Sequence, residues 1–308
     1  MSTIKIEDVA FVRFRAPDLT EMRAFLDDFG LTVADATDSR LIARGSGPAP
    51  VAHITERGEP GFASVGFRAA SLEDLERLAT SEGMATEPFD APGGGRRLVL
   101  TDPDGHTVEV VAGQSPAEPQ DIPAGQPWNR ATEKARLRSV KRIAAGAANV
   151  VRLGHVVLNV SDFRASERWY KDRFGFITSD EIQLAPEFAI GAFLRCDRGE
   201  ALTDHHTLFL MQSPNGPGFN HAAFEVADLD DLMRGHQRLK DGGRHAEWGV
   251  GRHILGSQVF DYWRDPWGHT LEHWTDGDLF TAADGSNTAS LQDLLGVQWG
   301  PMAPPTMG

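Results

Sequence analysis

Three short stretches of this chain carry residue types that could hold a metal ion. They are Leu153-Gly154-His155-Val156-Val157, Asn220-His221-Ala222-Ala223-Phe224 and Thr270-Leu271-Glu272-His273-Trp274. Each reads as a strand. Two imidazoles and one carboxylate, each from a separate strand, form the facial set that leaves positions open on non-haem Fe(II). Strand alternation groups His155 with Val157 and Asn159, His221 with Ala223 and Glu225, and Glu272 with Thr270 and Trp274. If those faces line one concave sheet, the three candidate ligands converge.

A second set of titratable residues lies between them. In Asp204-His205-His206-Thr207-Leu208 only one of the adjacent histidines can face inward. If the inward face carries Leu208 and Leu210, that residue is His206. His253, in a Gly251-Arg252-His253 stretch read as preceding a strand from Gly256 to Trp263, and Tyr262 could donate to a ligand oxygen or move a proton. Trp263, Trp267 and Trp274 read as packing residues, with Trp274 also a candidate for lining a pocket. His106 and His269 sit in matching Asp-Pro-x-Gly-His-Thr turns, which assigns both a structural role.

The elements that must position these residues come from a repeat, the feature that decides an architecture first. Asp8-Val9-Ala10-Phe11-Val12 matches Arg152-Leu153-Gly154-His155-Val156, and Ala63-Ser64-Val65-Gly66-Phe67 matches Asn220-His221-Ala222-Ala223-Phe224. The segment from Thr101 to Glu109 matches that from Arg264 to Glu272. Helices capped by Asp18 and Asp162 and ended by Gly30 and Gly175 occupy equivalent places. The expected fold is therefore α+β, with two domains, each of two βαβββ modules. Residues 1–115 form the first module pair, 116–148 a proline-rich linker with a short helix, 149–280 the second pair, and 281–308 a tail with one helical stretch near Leu291–Leu295. In the first half the positions matching His155, His221 and Glu272 hold Phe11, Ser64 and Glu109. The fold does not demand the histidines, so the expected site lies in the second half only.

Bulk properties exclude several classes. The chain has 308 residues, 41% of them hydrophobic, and a net charge of -14. That charge disfavours nucleic acid and anionic membrane surfaces, which recruit clustered Lys and Arg. No apolar run approaches the ~20 residues of a membrane span, and the N-terminus lacks a signal-peptide pattern. The single cysteine, Cys196, permits no internal disulfide, reads as a small core side chain, and makes a reducing cytoplasm the expected setting.

Gly154-His155, Asp204-His205-His206-Thr207, Asn220-His221, Gly251-Arg252-His253, Phe260-Asp261-Tyr262 and Leu271-Glu272 together resemble the type I extradiol ring-cleaving dioxygenases of the vicinal oxygen chelate superfamily. The resemblance runs from the first strand to about Phe280. It implies the paired-module, glyoxalase-like fold with metal in the C-terminal domain alone. It implies that His155, His221 and Glu272 bind Fe(II), with Mn(II) as the rarer occupant. His206 would be the acid–base residue, His253 and Tyr262 would contact the substrate hydroxyls, and Trp274 would help set substrate choice. The implied partners are a catecholic small molecule and O2, and the family leads us to expect a homo-oligomer. Two other readings share the fold. A glyoxalase-like isomerase uses more carboxylate ligands and lacks the His206, His253 and Tyr262 set; a ligand-sequestering protein has no need of an intact metal triad.

Overall fold

The computed structural model describes residues 2–123 and 125–305. The N-terminal half contributes β1 (Ile6–Ala16), α1 (Leu19–Phe29), β2 (Thr32–Ala36), β3 (Arg40–Arg44), β4 (His53–Arg57), β5 (Gly61–Ala69), α2 (Leu72–Ser81), β6 (Glu87–Pro88), β7 (Arg96–Thr101) and β8 (Thr107–Ala112). The C-terminal half repeats the order with β9 (Val150–Val160), α3 (Phe163–Phe174), β10 (Ile177–Ala185), β11 (Phe188–Arg195), β12 (Thr203–Asp204) and β13 (Leu208–Gln212). It continues through β14 (Gly218–Val226), α4 (Leu229–Asp241), β15 (His245–His253), β16 (Val259–Arg264) and β17 (Thr270–Thr275). Four short elements follow: β18 (Leu279–Phe280), β19 (Asn287–Ser290), α5 (Leu291–Leu295) and β20 (Val297–Trp299). The eight N-terminal strands make one sheet in the order 2-3-4-1-5-8-7-6. The larger C-terminal sheet has the order 19-10-11-13-9-14-17-16-15-20, and its inner strands follow the same module plan.

Helices cover one face of each sheet. Met22, Phe25, Leu26 and Phe29 of α1 are fully buried, and each such side chain contributes roughly 1.5–3 kcal/mol by leaving water. They join a single apolar core that runs through both halves. Across the seam the ring of Phe14 meets that of Phe219 edge-on at 5.1 Å, and His273 Nε2 lies 2.8 Å from the Phe29 carbonyl. No helix is long and apolar enough to cross a membrane among the described residues.

Two bulges aim the site. Between β9 and β14 the register pairs Ala223 with His155 and Phe224 with Leu153, leaving Gly154 unpaired; it pairs Phe219 with Leu158 and His221 with Val157, leaving Asn220 unpaired. Each candidate ligand histidine thus directly follows a bulge residue, and a bulge re-aims the side chain beside it. The same offsets recur between β1 and β5, where Ala10 and Ala63 are skipped. The bulges belong to the fold; the histidines are particular to the second copy.

The structure departs from the sequence-based expectations in three places. Residues 245–253 form β15, a strand additional to those read from the sequence, so His253 ends one strand and does not merely precede the next. Its register shifts at Trp248 and again before Gly251, so apolar alternation is broken and the periodic signal is lost. The described residues of 116–148 contain no helix, only an isolated Asn129–Lys134 bridge; four prolines within twelve positions remove donors that a helix there would need. The expected tail is partly built into the sheet: β19 pairs with β10 and β20 with β15, while α5 lies over Leu291–Leu295 as expected.

Candidate metal centre

His155, His221 and Glu272 meet at the centre of the C-terminal sheet, on β9, β14 and β17, three adjacent strands. One ligand atom from each lies within 4.8 Å of the others. His155 Nε2 is 3.3 Å and His221 Nε2 3.5 Å from Glu272 Oε2. All three residues are buried, Glu272 completely. Asn220, the bulge residue, accepts from His221: its Oδ1 lies 2.8 Å from Nδ1. That bond places the ring proton on Nδ1 and leaves Nε2 with a free lone pair toward the cluster.

The electrostatics suit a cation. Burial pushes His155 down to about 3 and His221 well below the usual imidazole range, so both are neutral at pH 7. Burial pushes Glu272 up to about 7, partly offset by the nearby His253. The Tyr262 hydroxyl is the donor that faces the Glu272 carboxylate, and among the described residues no Lys or Arg pairs with it. A buried anion without a neutralising charge is expensive, and a divalent ion between the three side chains would satisfy all of them at once. Glu109, at the equivalent place in the first half, supplies the contrast. It accepts from Arg13 Nε at 2.8 Å, Ser64 Oγ at 2.5 Å and Arg97 Nη1 at 2.7 Å. There two guanidinium groups neutralise the carboxylate, and stacked Phe11 and Phe89 close over the same face.

A cavity opens above the triad, lined by His155, His221, His206, His253 and Tyr262 among others. His206 packs against His155 with ring centroids 4.0 Å apart. Its neighbour His205 turns the other way, with Nε2 2.7 Å from Asp180 Oδ2. The two histidines touch through their Nδ1 atoms at 3.1 Å. His206 therefore faces the cavity, but not for the reason read from the sequence. Phe209 and Met211 line the cavity, whereas Leu208 and Leu210 lie in the helix-covered core. Residues 205–207 are not strand, and this bend resets the alternation before β13 begins. The bend is held by Arg152, which bonds Asp204 Oδ2 at 2.6 Å, and by Ser179 Oγ, which donates to the His205 carbonyl at 2.6 Å.

His253 Nε2 lies 3.0 Å from Tyr262 Oη, and Tyr262 sits directly across from Glu272 in the β16–β17 register. Burial pushes the Tyr262 phenol well above its ordinary range and His253 down to about 4. Trp274 is corrected: it does not line the cavity. It lies behind His155 against Gly154, where a Cβ would come within 2.5 Å of its ring. Glycine at position 154 is what admits the indole. His106 and His269 bond Asp102 and Asp265 within their own turns, at 2.9 and 2.7 Å, and Cys196 is buried. Sequence reasoning missed Asp180, whose contact with His205 spans 25 residues and leaves no local signal. It also missed the apolar wall that α5 contributes through Leu294 and Leu295.

Comparison with known proteins follows the same line. Residues 152–273 match the Glyoxalase/Bleomycin resistance protein/Dioxygenase superfamily. Over 97% of the chain and 90% of the relative, the sequence is 29% identical to metapyrocatechase 2 of Cupriavidus necator. It is 26% identical to biphenyl-2,3-diol 1,2-dioxygenase of Paraburkholderia xenovorans, covering 88% of each chain. Among solved structures, homoprotocatechuate 2,3-dioxygenase of Brevibacterium fuscum, in complex with 3,4-dihydroxyphenylacetate, superposes with a TM-score of 0.80 at 19% identity, over 99% of this chain and 92% of that one. An Mn(II)-bound glyoxalase of Novosphingobium aromaticivorans gives 0.79 at 23% identity, over 99% and 94%.

Proposed function

We propose that this chain, whose residues 152–273 form a domain of the Glyoxalase/Bleomycin resistance protein/Dioxygenase superfamily, is an extradiol dioxygenase. It opens a catecholic ring beside the diol with O2 and a non-haem Fe(II). The observation that carries the reading is the buried carboxylate of Glu272, without a cationic side chain beside it, between two neutral imidazoles and with titratable cavity residues around it. Curated relatives along nearly the whole chain are named for the same class of reaction.

His155, His221 and Glu272 would hold the iron. When bound, a ferrous ion supplies open coordination positions for a diol and dioxygen and the redox character that overcomes their spin mismatch. The rest falls to the protein. Tyr262 keeps its proton and would turn it from Glu272 to a substrate oxygen, with neutral His253 donating from Nε2 to the phenol oxygen. Asp180 accepts the Nε2 proton of His205, so a singly protonated His205 accepts from His206 Nδ1. His206 is thereby left with a bare Nε2. Burial and the neighbouring His155 and His205 hold its pKa well below the ordinary value. It is poised to take a proton from the incoming diol and return it to an oxygen as the ring opens. The apolar wall of Phe193, Phe209 and Leu294 excludes water from that exchange.

The proposal includes a cytoplasmic setting, consistent with one buried free thiol, and a homo-oligomeric state. The test is oxygen uptake by Fe(II)-reconstituted protein with a panel of substituted catechols, followed together with visible absorbance. Uptake matched by a yellow product is the expected result. Iron-loaded protein that consumes no oxygen with any diol would overturn the reading and direct attention to glyoxalase-type substrates.

A further inference from the structure

We propose that the cavity selects a diol whose ring substituent is an uncharged hydrocarbon group and rejects one bearing a carboxylate. This inference rests on the extradiol reading and names its substrate class. It comes from what surrounds the cavity beyond the titratable set. Phe193 and Phe209 stack at 4.1 Å and form one apolar cluster with Val157, against which Met211, Leu255 and Leu294 pack. This surface begins at the reactive end, since Phe193 meets His206 edge-on at 4.7 Å.

Among the described residues no Lys or Arg lines the cavity. The cations nearest in sequence to its walls are committed elsewhere. Arg252 bonds the Ser257 carbonyl at 2.6 Å and Asp276 at 2.7 Å. Arg264 is paired with Glu247. Arg195 donates to the Thr178 carbonyl at 2.8 Å and to the Asp284 carbonyl. The polar groups at the wall are neutral, and several are engaged: Asn220 with His221, and Gln212 with the Phe163 amide at 3.1 Å. Gln258 is buried, with Nε2 lacking a partner. One amide donor can serve a neutral acceptor, but it does not replace the hydration of a carboxylate moved into an apolar site. The chain's net charge of -14 adds long-range repulsion.

The Brevibacterium fuscum enzyme of the same fold is seen with 3,4-dihydroxyphenylacetate, which supplies the probe. The Fe(II)-loaded full chain is given this acid and its methyl ester, with 3-substituted counterparts of both, and oxygen uptake yields kcat/KM for each. We expect the esters to exceed the acids by on the order of 100-fold, the penalty of an uncompensated buried charge. Leu294→Lys places an ammonium on the wall from α5, an element without fully buried residues, and should narrow that ratio by about 10-fold, with a melting curve that shows the variant folded despite the apolar contact it loses. Acids turned over as well as or better than their esters would overturn the inference while leaving the extradiol reading intact. Failure of every diol, neutral or charged, would overturn both. An unaltered ratio in the folded lysine variant would remove the apolar wall as its cause.

Discussion

Replacing Glu272 with glutamine tests the reasoning behind the metal centre without requiring turnover. In the metal-free protein, burial raises the Glu272 pKa from 4.5 to about 7. A carboxylate raised in the folded state favours folding in its protonated form. That contribution is complete below about pH 4.5 and is lost as pH rises through about 7, because the unfolded chain releases the proton first. At about 1.4 kcal/mol per pK unit, the ionised group costs the metal-free protein about 1 kcal/mol at roughly pH 5.5 and about 3 kcal/mol above roughly pH 8. Glutamine has nearly the same shape and cannot ionise. Metal-free Glu272→Gln should therefore exceed the metal-free parent in stability by those amounts, with the gap widening toward alkaline pH. Depressed histidines such as His155 destabilise both proteins alike in acid and cancel in the difference. Added Fe(II) should reverse the order, because an ion that binds only the folded parent stabilises it by mass action. Urea unfolding of chelator-treated proteins at the two pH values, repeated with Fe(II), measures all four cases. A metal-free variant less stable than its parent at alkaline pH, or a gap that ignores pH, would refute the picture of a buried charge that only a metal ion neutralises.

His206→Ala should keep iron at the parental stoichiometry and lose about 100- to 10,000-fold in kcat; elemental analysis beside oxygen uptake checks it. Asn220→Ala removes the acceptor that fixes the His221 tautomer and should weaken iron binding by about 10- to 100-fold, read by competition with a chelator. Gly154→Ala drives a methyl group into the Trp274 ring; melting curves should show a loss of about 1–3 kcal/mol, and metal occupancy should fall as His155 is displaced. Arg13→Met leaves Glu109 with Arg97 as its one guanidinium partner and should cost about 1.5–3 kcal/mol in denaturation, with kcat of the folded fraction unchanged.

The parts of this molecule that repeat were legible in its sequence, and so was the contrast between the copies. Four module starts, and the pairing of Phe11 with His155 and Ser64 with His221, follow from residue types alone. What was not legible depends on geometry that alternation cannot carry. Alternation from Leu208 and Leu210 points to the wrong face of β13, because the bend at 205–207 separates His206 from that strand. Trp274 shares the alternation class of Glu272 but lies beyond the cavity, since the bulge at Gly154 opens space for the indole behind His155. The strand β15 was hidden by its glycines and two register shifts. Asp180 and the α5 wall act across long sequence separations, which no local pattern records.

The order in which these pieces occur along the chain has a consequence for assembly. All three cluster residues have been synthesised by position 272, whereas the wall from α5, the β20 strand beside His253 and the Pro301 carbonyl that accepts from Trp248 at 2.9 Å come later. Domains fold N-terminal first during synthesis, and within the second domain the three cup strands leave the ribosome before the segment that roofs them. If the cup holds iron as proposed, the ion can enter before the segment after Glu272 closes over it. An ion lost afterwards has to leave, and be replaced, through a finished wall.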